Sequence, residues 1–277
     1  MSIAYYNGRI SKPEEVTISL NDRCVFFGDG VYDAAIGTTR GIHQLDEHVE
    51  RFIKNARLLA IPMPFDDVLL KSMLISLTRQ SDEDVYTLYF QLTRRADKRL
   101  HSAKGANESN LLITVTPCAM PSPDDNVILF SYPDKRYSYC NIKTLNLLPS
   151  VLASTYADEK GGDEAIFVRD GIVTECSHSN VSIIKDGTLY THPECNRILS
   201  GITRKHLLMK AQKMGIKTVE KAFTLSETYM ADEVIITSST RLARLAAQVD
   251  GIRYEIKEGS IGKQIVEKLF CEFVENV

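Results

Sequence analysis

Lys143 sits in a largely apolar run, Asn141-Ile142-Lys143-Thr144-Leu145-Asn146-Leu147-Leu148. If those flanks draw it toward the interior, burial disfavours the ammonium form and leaves a nucleophilic amine, as Schiff-base chemistry on a carbonyl requires. Glu175 ends an apolar stretch and is followed by Cys176-Ser177-His178-Ser179-Asn180, so a carboxylate and small polar groups fall at one strand end. Gly201-Ile202-Thr203 reads as the opening of a helix. The N–H groups of such an end attract phosphate, and the threonine hydroxyl adds a donor. Thr237-Ser238-Ser239-Thr240 is a second hydroxyl cluster after a strand, and Arg51 is a cation inside a helix. Arg99-Leu100-His101 sets a guanidinium and an imidazole two residues apart, a pair able to grip one carboxylate. Taken singly, each has an ordinary explanation: a solvated lysine, a turn carboxylate, a plain helix cap, a surface arginine.

The elements that must position these groups follow from periodicity. Leu45, Val49, Phe52, Ile53, Ala56 and Leu59 recur at helical spacing and predict a helix over 45–60, closed by Pro62. A second helix is expected over 66–78. Strands are expected near Tyr5–Gly8, over 15–20, over 85–93 with Tyr86, Leu88, Phe90 and Leu92 on one face, and over 111–116. Phe26-Phe27-Gly28-Asp29-Gly30-Val31-Tyr32 reads as a bend in which glycines permit close backbone approach. Beyond it lie a strand over 127–132, a helix over 150–160 ended by Gly161-Gly162, and hairpins turning at Asp170-Gly171 and Asp186-Gly187. A helix over 203–214, a strand over 233–237 and a last helix over 261–274 complete the set, which defines a mixed α/β, or α+β, class. Prolines at 117, 121 and 123 mark a linker. The reading is therefore a small N-terminal domain over 1–118, a linker over 119–125 and a larger domain over 126–277.

Bulk properties are those of a soluble globular chain: 277 residues, 44% hydrophobic, 25% charged, net charge -3. No basic stripe points to nucleic acid, and no apolar run reaches the length of a membrane span. Six scattered cysteines form no CxxC pair, which argues against a zinc site or disulfide framework and for a reducing compartment. The N-terminus carries no secretory pattern, so a cytoplasmic location is expected.

The ordered set Phe27-Gly28-Asp29-Gly30-Val31-Tyr32, Glu47-His48-x-x-Arg51, Ile142-Lys143-Thr144-Leu145-Asn146, Thr174-Glu175 to Ser179-Asn180, Leu199-Ser200-Gly201-Ile202-Thr203-Arg204 and Thr237-Ser238-Ser239-Thr240 resembles the class IV aminotransferases, the fold-type IV enzymes of pyridoxal 5′-phosphate (PLP). The resemblance covers nearly the whole chain. It implies two α/β domains with PLP between them. It implies that Lys143 carries the cofactor, Glu175 pairs with the pyridine nitrogen, Arg51 binds the phosphate together with Ile202, Thr203 and Ser239, and Leu199 supports one ring face. Arg99 and His101, placed beyond Tyr89-Phe90-Gln91-Leu92-Thr93-Arg94, are similar to the α-carboxylate trap of the D-amino acid aminotransferases in this family, completed by Tyr32. In the family that trap reaches in from a second subunit, which implies a homodimer. The implied reaction moves the amino group of a D-amino acid of the alanine, glutamate or aspartate type to a 2-oxo acid. Aminodeoxychorismate lyase and branched-chain L-amino acid aminotransferase activities of the same fold are the alternatives, and a non-catalytic PLP-binding protein is a remoter one. Three positions depart from the pattern: His178 and Pro149 where small residues are usual, and Arg241, an added cation that would favour acidic substrates.

Overall fold

The computed structural model describes residues 2–81, 83–95 and 98–277. They form two compact units, one of Met1–Met120, Ile142–Asn146 and Asn276–Val277, the other of Pro121–Asn141 and Leu147–Glu275.

The first unit is built on a six-stranded antiparallel sheet in the order β2-β1-β6-β5-β3-β4. Its strands are β1 (Ile3–Tyr6), β2 (Arg9–Ser11), β3 (Gly30–Thr38), β4 (Gly41–Ile42), β5 (Val85–Arg95) and β6 (Glu108–Pro117). The helices are α1 (Arg23–Phe27), α2 (Leu45–Leu58) and α3 (Asp67–Thr78). The alternation in β5 sends Tyr86, Leu88, Phe90 and Leu92 into a core with Val49, Phe52, Ile53 and Ala56 of α2 and Leu70, Leu74 and Leu77 of α3. Each fully buried large side chain contributes about 1.5–3 kcal/mol. Asp66 starts α3 by accepting a hydrogen bond from the Leu69 N–H at 2.8 Å.

Three expectations change here. The bend at 26–32 is instead the end of α1 followed by the long strand β3. Residues 15–20 form no strand: a 3-10 turn at Pro13–Glu15 leads into an extended stretch in which Ile18 and Leu20 are 38% and 69% exposed. Alternation alone makes no strand without a neighbour to complete its ladder. The segment Ile142–Asn146, expected within the C-terminal domain, belongs to the first unit because Thr144 bridges to Val31 of β3.

The second unit carries a nine-stranded mixed sheet in the order β12-β11-β10-β13-β14-β7-β8-β9, with β15 paired to β14. Its strands are β7 (Val127–Pro133), β8 (Glu164–Arg169), β9 (Ile172–Cys176), β10 (Asn180–Lys185), β11 (Thr188–Thr191), β12 (Lys217–Glu220), β13 (Glu233–Ser238), β14 (Leu242–Val249) and β15 (Ile252–Arg253). Its helices are α4 (Leu148–Glu159), α5 (Ile202–Lys213), α6 (Leu225–Tyr229) and α7 (Ile261–Asn276). The β8–β9 and β10–β11 hairpins turn on Asp170-Gly171 and Asp186-Gly187, all four residues at positive φ, as two-residue turns of this hand demand. Leu207 and Ala211 of α5 and Ile265, Val266 and Leu269 of α7 pack against Ile184, Leu189, Ile235, Ala243 and Leu245 of the sheet. β14 was not foreseen, since Leu242-Ala243-Arg244-Leu245-Ala246-Ala247 is rich in helix formers. Pairing with both β13 and β7 overrides that preference. Among the described residues no helix is long and apolar enough to cross a membrane.

Candidate active site

In the first unit, the segment carrying Lys143 is laid along the start of β3. The Tyr32 N–H donates to the Lys143 carbonyl at 3.0 Å, and the Leu145 N–H donates to the Gly30 carbonyl at 3.1 Å. Gly30 permits this approach: a Cβ there would stand 2.7 Å from Leu145 Cδ1 and 2.9 Å from the Leu92 carbonyl oxygen. Lys143 is half-buried, and its Nζ lies 4.4 Å from the centroid of the Tyr32 ring. Tyr32 stacks in turn on Tyr89 at 5.5 Å. The lysine amine and the tyrosine are thus neighbours fixed by one backbone pairing.

One residue further along β3, Asp33 is fully buried. It receives both edges of the Arg51 fork, Nε at 2.8 Å and a terminal nitrogen at 2.7 Å, and His48 Nδ1 stands 2.8 Å away. Burial by itself would raise the Asp33 carboxyl, but the charge of Arg51, with His48 assisting, outweighs it and holds the group well below the usual carboxylate range. Arg51, one helical turn after His48 on α2, is therefore an oriented, partly buried cation and not a surface arginine.

Arg99 and His101 also lie in the first unit, on the loop beyond β5. Their side chains are exposed and gather round one ring: the Arg99 guanidinium is 5.2 Å from the Phe27 centroid and the His101 ring 5.3 Å from it.

The second unit brings together Glu175, Leu199, Ile202, Thr203 and Ser239. Glu175 is the penultimate residue of β9 and is buried. Its Oε2 accepts from the Leu199 N–H at 2.8 Å and from Asn180 Nδ2 at 3.0 Å, while Oε1 accepts from Arg136. Arg136 is itself held by a fork on Asp134 and lies 4.3 Å over the Phe167 ring. Burial opposes its charge, yet the Asp134 bond and Glu175 raise its pKa further above the ordinary value. The carboxylate is thereby fixed in place by donors from Arg136, Asn180 and Leu199.

Ile202 and Thr203 open α5, whose N-cap is Gly201 with no side-chain cap, so the first-turn N–H groups are not closed off by a side chain. A Cβ on Gly201 would fall 2.0 Å from Asn180 Oδ1, which is why glycine stands there. The Thr203 hydroxyl donates to the Ser238 carbonyl at 3.0 Å, tying this helix end to the close of β13, where Ser239 and Thr240 turn. Nearby, the buried Thr237 hydroxyl has no hydrogen-bond partner. Uncapped N–H groups and an orphaned hydroxyl are what an oxyanion seat offers. Leu242 follows at φ 59°, a left-handed conformation that costs a bulky residue of order 1–3 kcal/mol.

The departures from the family pattern resolve locally. Pro149 occupies the first turn of α4, where a missing N–H costs nothing. The side chain of His178 is exposed while its N–H donates to the buried Glu164 at 2.7 Å. Arg241 is exposed. Sequence reasoning missed Asp33, Asp134 and Arg136. Asp33 had one available signal, its place directly after Tyr32 in an otherwise apolar strand; Asp134-x-Arg136 had none, because only β9 makes it a partner of Glu175. Among the described residues no group of three His, Cys, Asp or Glu is placed to hold a metal.

The two-unit α/β architecture is that of fold-type IV aminotransferases: a branched-chain aminotransferase from Thermoproteus uzoniensis superposes with a TM-score of 0.90, covering 99% of this chain and 95% of that one at 22% identity. Residues 30–249 match the amino-transferase class IV family, and the chain belongs to that family. It is 36% identical over 248 residues to a D-alanine aminotransferase of Bacillus licheniformis, spanning 89% of this chain and 88% of that protein. It is 33% identical over 276 residues to a D-alanine aminotransferase of Listeria monocytogenes, spanning 98% and 94%.

Proposed function

We propose that the protein is a PLP-dependent transaminase of D-amino acids. One observation carries the substrate class: relatives at 36% and 33% identity over nearly the full chain are D-alanine aminotransferases. The Arg99–His101 pair standing on Phe27 supports the same reading. At 22% identity, the likeness to branched-chain enzymes speaks to the fold alone.

The residues fit PLP. The uncapped start of α5, with Ile202, Thr203, Ser239 and the orphaned Thr237 hydroxyl, suits a phosphate, and Arg51 supplies an oriented cation. Lys143 would hold the cofactor through its amine, and Leu199 would support the ring. When bound, PLP supplies an electron sink for the pair left at the substrate's α-carbon. Lys143 Nζ takes the proton from that carbon and delivers it again one step later, acting as base and then acid. Glu175, locked as an acceptor by Arg136, Asn180 and Leu199, would face the ring nitrogen and hold a proton there. Arg99, His101 and Tyr32 grip the α-carboxylate and so decide which face of the α-carbon meets the lysine. We place the Arg99 loop in the site of a second subunit of a homodimer. Six free thiols suit a reducing compartment and a cytoplasmic location.

The test is a screen of both enantiomers of alanine, glutamate, aspartate and leucine against a 2-oxo acid acceptor. D-alanine or a D-acidic amino acid should turn over roughly a hundredfold faster than its mirror image. Preferred turnover of L-leucine, or release of aminobenzoate from aminodeoxychorismate, would overturn the reading.

A further inference from the structure

Arg23, the first residue of α1, is 5% exposed, and nothing in the reaction above uses it. Its Nε donates to Asp29 Oδ2 at 2.6 Å. Its two terminal nitrogens donate to backbone carbonyls, one to that of Leu100 and the other to that of His101 at 3.1 Å. Its guanidinium carbon lies 4.7 Å from the Phe27 centroid. The same ring meets the Arg99 guanidinium at 5.2 Å and the His101 ring at 5.3 Å. Asp29 is shared with Arg94, whose Nε reaches the same Oδ2 at 3.1 Å and whose other nitrogens hold the Ala60 and Leu59 carbonyls. Two guanidiniums on one carboxylate leave one net positive charge beneath the loop.

The loop needs such a mount. Residues 98–104 have no helix or strand, and Arg99, Leu100 and His101 are all exposed, with Leu100 at 59%. A segment with so little buried contact opens easily, and the entropy of ordering it would weigh on substrate binding. A planar fork bonded to two successive carbonyls fixes the peptide between them, which lysine's single ammonium cannot do. We propose that Arg23 is a positioning residue for the carboxylate clamp: it pins the backbone of Leu100 and His101 while Phe27 serves as the platform on which Arg99 and His101 rest. The proposal deepens the reading of Arg99 and His101 as the clamp and rests on it.

The experiment compares Arg23→Lys, Arg23→Gln and Phe27→Leu holoenzymes with wild type. Arg23→Lys keeps the charge and removes the fork, so it should raise KM for D-alanine about tenfold while kcat changes less than about threefold and the cofactor's visible absorption stays in place. Amide hydrogen exchange in 98–104 should quicken about tenfold without any substrate present. Combined with Arg99→Ala, it should add less than about a twofold further rise in KM, since both act through one clamp. Phe27→Leu, which removes no charge, should raise KM in the same way and carries the test if the Arg23 variants do not fold. Unchanged exchange in Arg23→Lys, or KM effects that multiply in full with Arg99→Ala, would overturn the role of Arg23 alone. An Arg99→Ala enzyme with wild-type KM would remove the clamp reading and this proposal together.

Discussion

At Asp33, a strand and a helix meet in one buried carboxylate that holds Arg51 and His48, and its chemistry sets what Arg51 can do. Asparagine there would leave the partly buried Arg51 guanidinium without the counter-charge of Asp33. Asp33→Asn should therefore cost about 3–5 kcal/mol of stability, read as a urea midpoint, and weaken PLP affinity as well. The pH dependence has a definite sign. Because the folded-state carboxyl is held below its ordinary value, its stabilisation is complete above about pH 4, near the unfolded value, and fades as pH falls toward the folded one. The gap between wild type and Asp33→Asn should thus be widest near neutrality and shrink below about pH 4. Lys143→Ala tests the other residue. It should abolish the protein's violet-blue absorption on addition of PLP and lower transamination by at least about a thousandfold. Full activity in that variant would remove Lys143 from the mechanism.

Elements carry these residues into register. The pairing of 142–146 with β3 determines where the Lys143 amine stands, and Gly30 is the position that lets the two backbones meet. Gly30→Ala would set a methyl against the Leu92 carbonyl, a backbone atom held within the β3–β5 ladder. We expect a loss of about 1–3 kcal/mol and a displaced cofactor absorption band, measured by thermal unfolding and visible spectroscopy. How much of this was legible varied by element. α2, α3, β5, α7 and both Asp-Gly hairpins were readable because each buries a single regular face or demands positive φ at its turn. β3 was not, since Gly28 and Gly30 disguise its start as a bend. β14 was not, since its alanines and leucines favour a helix until two neighbouring strands claim it. The expected strand at 15–20 had the right alternation and no partner.

On the scale of the whole molecule, the proposed trans action of the Arg99 loop has a direct consequence. In a homodimer, mixing Lys143→Ala and Arg99→Ala chains through a cycle of unfolding and refolding should regenerate one intact site per mixed dimer, or about a quarter of wild-type activity. No recovery would mean that each chain completes its own site. The sequence by itself determined the family, the order of the motifs and most of the regular elements, because residue type and short-range spacing suffice to record them. Only the tertiary structure decided that Lys143 lies along β3, that Asp33 orients Arg51, that Arg136 locks Glu175 and that Arg23 grips the loop of Arg99 and His101. The physical reason is the same in each case. These are hydrogen bonds between groups from 18 to about 110 positions apart in the chain, and no local pattern encodes a donor's distant acceptor until the strands that carry them have paired.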